Sequence, residues 1–153
     1  MARCLYSSSF KDFLHAPSLS VLGTLHSNYH GETLTTTNDA WEGEINILQE
    51  VLKQWEDEDA HIIFEYDIPR LGKRIDTVLL LRGVIFCLEF KIGQNQALQN
   101  DLEQVLDYAL DLKNFHLFSA DRQIVPILVP SRIETATTEF KPSPYDDGIF
   151  NPI

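Results

Sequence analysis

The sequence predicts an α/β fold in which a central mixed sheet is flanked by helices. Three observations carry this. Ile75–Leu81 and Val84–Phe90 are short apolar runs around the pair Arg82-Gly83, the pattern of a tight hairpin. Apolar residues recur at helical spacing on either side: Trp41, Ile45, Leu48, Leu52 and Trp55 before the hairpin, and Leu98, Leu102, Val105, Ala109 and Leu112 after it. A last apolar run, Gln123–Val129, follows the second periodic stretch.

Residues 1–38 read as an irregular arm, with Phe10–Leu14 as a short helix and Thr-rich Glu32–Asn38 as a loop. The apolar Leu5, Tyr6, Phe10, Phe13 and Leu14 are expected to pack on the domain or on a partner, as in a homodimer. His15, His26 and His30 match no zinc-ligand spacing, so surface or hydrogen-bonding roles are expected. The first core helix is expected from Asp39 to Trp55, capped by Asn38 or Asp39. Glu44 lies at the edge of its apolar stripe, whereas Glu42 and Glu50 point away. Gly43 is unfavourable in a helix and suggests the close approach of another backbone.

Strands follow at His61–Ile68, Ile75–Leu81 and Val84–Ile92, the first two joined by the turn Pro69–Arg74. The second and third are apolar on both faces, as in a sheet covered on both sides. A helix is expected from Ala97 to Phe115. Gln123–Val129 then returns parallel to the third strand by a right-handed crossover. Pro126 within it indicates an edge position or a bulge. Ser131–Ile153 is Pro-rich and without periodicity. The chain thus divides into an arm (1–38), a core (39–130) and a C-terminal extension or linker (131–153).

At 153 residues and 44% apolar content, the chain suits one domain with a real core. No 18-residue apolar run marks a membrane span, and the N-terminus lacks the unbroken apolar segment of a signal peptide. Cys4 and Cys87 are read as reduced thiols of a cytoplasmic protein. The net charge of −11 opposes avid nucleic-acid binding, which rests on Lys and Arg contacts to phosphate. Arg70, Lys73 and Arg74, however, crowd the turn before Asp76. With Lys91 they would form a positive edge for substrate; a solvated basic turn is the other reading. The absence of G-x-x-x-x-G-K-[ST], G-x-S-x-G, H-E-x-x-H and C-x-x-C motifs excludes the commonest P-loop, serine-hydrolase and zinc-enzyme designs.

If Arg82-Gly83 forms the two-residue loop, Leu81 faces Val84 and Asp76 lies opposite Glu89. Lys91, two residues on, points to the same face as Glu89. Opposed like charges are unfavourable, and buried charges are costly unless paired or bound to metal. A divalent cation between Asp76 and Glu89 removes the conflict, and Mg²⁺ favours one or two carboxylates plus water and phosphate oxygens. Two acids and one amine are the equipment of metal-assisted phosphodiester hydrolysis.

Asp76 and the triplet Glu89-Phe90-Lys91 resemble the signature of the PD-(D/E)XK nuclease superfamily, with Ile75 where a proline commonly precedes the first acid. Gln104 and Tyr108, on the helix after that triplet, resemble the Q-x-x-x-Y motif of its RecB-like branch. The resemblance covers about Asp39 to Pro130 and implies a restriction-endonuclease-like α-β-β-β-α-β core. It implies a nuclease dependent on Mg²⁺ or Mn²⁺ and acting on DNA rather than RNA. Asp76, Glu89 and the Phe90 carbonyl would hold the metal, and Glu44 would complete the site. Lys91 would orient the attacking water, and Gln104 and Tyr108 would contact DNA or orient site residues. The abrupt ending GIFNPI suggests the N-terminal module of a longer protein, and domains of this branch are often fused to helicase or other P-loop ATPase modules. The alternatives are a catalytically inactive module of the same fold that binds nucleic acid, or one used for protein interaction or dimerisation.

Overall fold

The computed structural model describes residues 3–32, 34–68, 72–134, 139, 141–143, 147–150 and 152. One five-stranded mixed sheet runs in the order β1 (Tyr6–Ser9), β2 (His61–Asp67), β3 (Arg74–Leu81), β4 (Val84–Lys91) and β5 (Gln123–Pro130). The first four strands pair antiparallel in succession, and β5 lies parallel to β4. The helices are α1 (Phe10–His15), α2 (Ser18–Asn28), α3 (Thr35–Val51, extended by a 3-10 turn at Leu52–Trp55) and α4 (Gln99–Phe115). One core gathers α1, α2 and α3 against one face of the sheet; the other lies between α4 and the opposite face. The chain is therefore α/β, with a mixed sheet flanked by helices. Among the described residues no helix is long and apolar enough to cross a membrane.

The N-terminal arm corrects one expectation. It is not irregular, and it packs on the domain itself. Tyr6 to Ser9 pair with Phe64 to His61 as the edge strand of the sheet. Ser9 then caps α1, its hydroxyl accepting the Asp12 N–H at 3.1 Å. Phe10, Phe13, Val21 and Leu25 are buried against Trp41, Ile45, Ile62 and Phe64. The strand has no signal in the sequence because YSSS carries no apolar alternation; it is held by backbone pairing, to which any residue contributes. The stretch read as a loop before α3 already contains its first turn, from Thr35. The residue before it is Leu34, so neither Asn38 nor Asp39 serves as the cap. What comes nearest Gly43 is a side chain: an added Cβ would meet Ile92 at 3.1 Å.

The hairpin holds the expected register. Leu81 pairs with Val84, and Arg82 and Gly83 both have positive φ, 51° and 78°. Left-handed geometry at both central residues matches the right-handed twist of the flanking strands. Pro126 sits on β5, the last strand in the sheet order, beyond which Ile124 makes an isolated bridge with Ile149. There its missing N–H interrupts no further ladder.

The in-and-out alternation of β2 and β3 reverses in one row. Ile62 and Phe64 enter the core beneath α3, and Ile63 the one beneath α4; two residues after Phe64, Tyr66 packs on the α4 side too. On β3, Leu79 faces α3 and Val78 faces α4, yet Ile75 also faces α4. Between these positions stand Glu65 and Asp76, opposite one another where β2–β3 pairing lapses, flanked by Phe64↔Thr77 and Tyr66↔Ile75. Glu65 has φ 54°, a conformation uncommon for a side chain of its size. It accounts for the reversal on β2, at a cost of roughly 1–3 kcal/mol.

Candidate functional site

β3–β4 pairing runs from Leu81↔Val84 as far as Thr77↔Leu88. At the next position Asp76 takes over with its side chain: its Oδ2 accepts the Phe90 N–H at 2.8 Å. This holds the Asp76 carboxylate against the backbone of β4 beside Glu89. Continuing the register places Asp76 opposite Glu89, and the two charges do repel: burial, then the Glu89 charge, push Asp76 well above the usual carboxylate range.

Glu44 enters from α3. The helix buries Trp41, Ile45 and Leu48 against the sheet, and Glu44 is carried in with them, only 3% exposed. Burial first, then the charges of Asp76, Glu65 and Glu89, push its carboxyl well above the ordinary range. Glu89 is 5% exposed on β4. One oxygen of each, Glu44 Oε2 and Glu89 Oε2, is buried without a hydrogen-bond partner. Such atoms are rare in folded proteins, because losing water without replacement costs about 1–3 kcal/mol.

Lys91 is the cation of the cluster. Its Nζ donates to Glu89 Oε1 at 3.0 Å and to Gln104 Oε1 at 3.3 Å, and lies 3.5 Å from Asp101 Oδ1. Burial pulls the ammonium down, but the hydrogen bond and charge of Glu89, with Asp101, outweigh it and hold Lys91 above its ordinary value. Gln104 Nε2 in turn donates to Tyr108 Oη at 2.8 Å. The four-residue spacing on α4 thus works as a relay, Tyr108 to Gln104 to Lys91, with Gln104 oriented by its two unlike partners.

The structure brings Glu44, Asp76, Glu89, Lys91, Gln104 and Tyr108 into one neighbourhood, and Phe90 joins them through its N–H. It does not assemble the expected positive edge. Arg74 pairs with Asp67 at 2.8 Å and stacks over the Tyr29 ring at 5.5 Å. Lys73 stands 3.7 Å from Asp111. Arg70 lies outside the described residues. Lys73 borders a groove of about 380 Å³ with Asn100, Glu103, Gln104, Asp107 and Tyr108, so two acids face its one cation.

Two residues of this neighbourhood are not among those the sequence singles out. Glu65 Oε1 accepts the Trp41 indole N–H at 3.0 Å, and its own carboxyl is raised chiefly by burial. The sequence carries no signal for it: the turn Pro69–Arg74 would set Asp67 against Asp76, and only the observed Tyr66↔Ile75 pairing brings Glu65 there. Asp101 lies one helical turn before Gln104, on the same face of α4.

The donors are hard oxygens on four separate elements, with buried oxygens lacking partners, which is the chemistry a divalent cation needs. Asp76 Oδ2 and Glu89 Oε1 are engaged by the chain's own N–H and ammonium groups. Among the described residues no group of three or more His, Cys, Asp or Glu side chains is placed so that it could hold a metal ion. Cys87 offers no ligand, because it is fully buried in the sheet and its thiol is pushed up to about 12 by burial.

Comparison of the chain with protein-family models, with curated proteins and with solved structures gave no match.

Proposed function

We propose that the chain is a nuclease of the PD-(D/E)XK type, hydrolysing phosphodiester bonds with Mg²⁺ or Mn²⁺, DNA being the expected substrate. One observation carries this reading: a lysine fixed by Glu89 and Gln104 beside buried carboxylates whose free oxygens have no protein partner. A purely structural ion pair needs one acid for one base, and an excess of buried acid is destabilising. The element order α3-β2-β3-β4-α4-β5 agrees with a restriction-endonuclease-like core.

On this reading Asp76, Glu89 and Glu44, with the Phe90 carbonyl, would hold the cation, which when bound would supply a Lewis acid for the phosphate and lower the pKa of water. Glu89 Oε1 holds Lys91, and its partnerless Oε2 would be the oxygen offered to the cation. Gln104 and Asp101 keep the ammonium in place. Lys91 then donates to the attacking water or to a phosphate oxygen and offsets the negative charge that builds as the bond to phosphorus forms. Tyr108 fixes the rotamer of Gln104.

A second reading is a catalytically inactive module of the same fold. The net charge of −11 and the pairing of Lys73 and Arg74 with acids favour it. The deciding experiment is cleavage of single- and double-stranded DNA and of RNA, with Mg²⁺, Mn²⁺ or EDTA, by the wild type, Lys91→Ala and Asp76→Ala. Metal-dependent cleavage lost in both variants supports the nuclease. Cleavage that survives Asp76→Ala sinks it.

A further inference from the structure

We propose that the cavity between the end of α4 and the β3–β4 hairpin is a binding site for a small amphiphile, an apolar chain or ring ending in a carboxylate. It stands apart from the carboxylate–lysine cluster and does not rest on the nuclease reading. α4 ends at Phe115 and is followed by a 3-10 turn, Leu117–Ser119. Between that turn and the hairpin end of the sheet lies an opening of about 380 Å³. The buried Val78, Ile85 and Leu112 form its floor. Its rim is apolar as well, with Leu80 39% and Phe118 81% exposed.

Close packing leaves few voids larger than a water molecule in a protein. An opening of this size falls instead in the range of small-molecule sites, which are apolar with a few polar groups that fix orientation. Two of the polar lining groups satisfy one another: His116 Nδ1 and Ser119 Oγ lie 2.6 Å apart. Arg122 is different. Its guanidinium stands over the hairpin loop at the edge of the cavity, Nη1 3.6 Å from where a Cβ on Gly83 would lie. The chain has 23 acids against 12 bases, and Lys73, Arg74, Arg82 and Lys91 all pair with carboxylates. Among the described residues Arg122 makes no such pair, even with its exposed neighbour Asp121. Lys113 Nζ donates to the Arg122 carbonyl at 2.9 Å and adds a second positive charge nearby. A guanidinium fork matches a carboxylate in shape and charge. The apolar floor and rim match what the carboxylate is attached to, since a bound chain would remove that surface from water.

The test is titration calorimetry of the full chain with decanoate and with decanol, which share an apolar chain and differ in the charge of the head. The expected result is one decanoate per chain, bound at least ~10-fold more tightly than decanol. Arg122→Gln should erase that preference and leave decanol binding unchanged. Lys53→Gln, which removes an exposed cation from α3, should change neither. Leu80→Trp fills the mouth of the cavity and should abolish binding of both. Phe118→Ser, at a more exposed position, should weaken both, and it serves if Leu80→Trp folds poorly. Decanol binding as tightly as decanoate overturns the carboxylate partner. Decanoate binding at wild-type strength in both Leu80→Trp and Phe118→Ser overturns the location. No binding of either compound overturns the site, as does sedimentation showing a dimer that Phe118→Ser dissociates and decanoate does not, since a second copy would then be what covers this face.

Discussion

Asp76 and Phe90 are joined by a 2.8 Å hydrogen bond in which a carboxylate oxygen of β3 receives a backbone N–H of β4. A side chain thus takes the place of a strand carbonyl at the point where the hairpin opens. The bond anchors an acid that burial and the Glu89 charge both disfavour in its ionised form.

Asp76→Asn should therefore separate stability from activity. The amide oxygen can still accept the Phe90 N–H, while the charge facing Glu44 and Glu89 is gone. We expect the melting temperature at pH 8 to rise by about 3 °C, the shift that ~1 kcal/mol gives a domain of this size, and cleavage to fall below detection. Calorimetry and a nuclease assay on the same preparation check it.

The raised carboxyls of Glu44 and Asp76 set a pH dependence of definite sign. Between the ordinary carboxylate range and their raised values, the folded chain holds protons that the unfolded chain has lost. Stability from these groups is thus complete below the ordinary range and is lost as pH rises through the raised values. The wild type should melt at a higher temperature near pH 5.5 than at pH 8, and the difference should shrink in a Glu44→Gln/Asp76→Asn double variant. Mg²⁺ should restore stability at pH 8 in the wild type alone. An equal pH slope in both proteins would count against the coupling.

Lys91→Ala should reduce cleavage by about 10²–10³-fold, the usual effect of removing one preorganised group that stabilises developing charge. Mn²⁺ affinity should change much less, because removing an ammonium beside the site does not remove a ligand. A comparable loss of metal affinity would assign Lys91 to holding the site together instead.

Gln104 links Lys91 and Tyr108. Tyr108→Phe removes only the hydroxyl, and Gln104→Ala removes both bonds. We expect cleavage to fall in the order wild type, Tyr108→Phe, Gln104→Ala. The melting temperature should move by only a few degrees, since a net hydrogen bond contributes about 1 kcal/mol. Steady-state kinetics with kcat and KM resolved would show the loss in kcat if Gln104 acts through Lys91, and in KM if it acts on substrate.

Gly83→Ala should destabilise the hairpin by about 1 kcal/mol, because φ is 78° there and an added Cβ would gain, among the described residues, one ordinary contact, with the Arg122 guanidinium at 3.6 Å. Chemical denaturation measures this directly.

The sequence by itself determined the parts of this protein that depend on local periodicity and short-range register. The hairpin around Arg82-Gly83, the stripe of α3, that of α4 from Leu102 onward (Leu98 precedes the helix and is exposed), and the parallel return of β5 follow from apolar spacing, turn residues and chain connectivity. So does the meeting of Gln104 with Tyr108, which one helical turn enforces. Only the tertiary structure decided which charges became buried and what satisfied them. Glu44 was legible as a residue at a stripe edge, but its burial depends on how α3 seats on the sheet. The arm's strand has no side-chain pattern and exists because β2 offers an open edge. Lys73 and Arg74 found Asp111 and Asp67, partners of other elements or of another strand, and so left the site without its expected basic rim. Glu65 depends on a single left-handed residue in β2, which no propensity favours and which only the surrounding packing can hold.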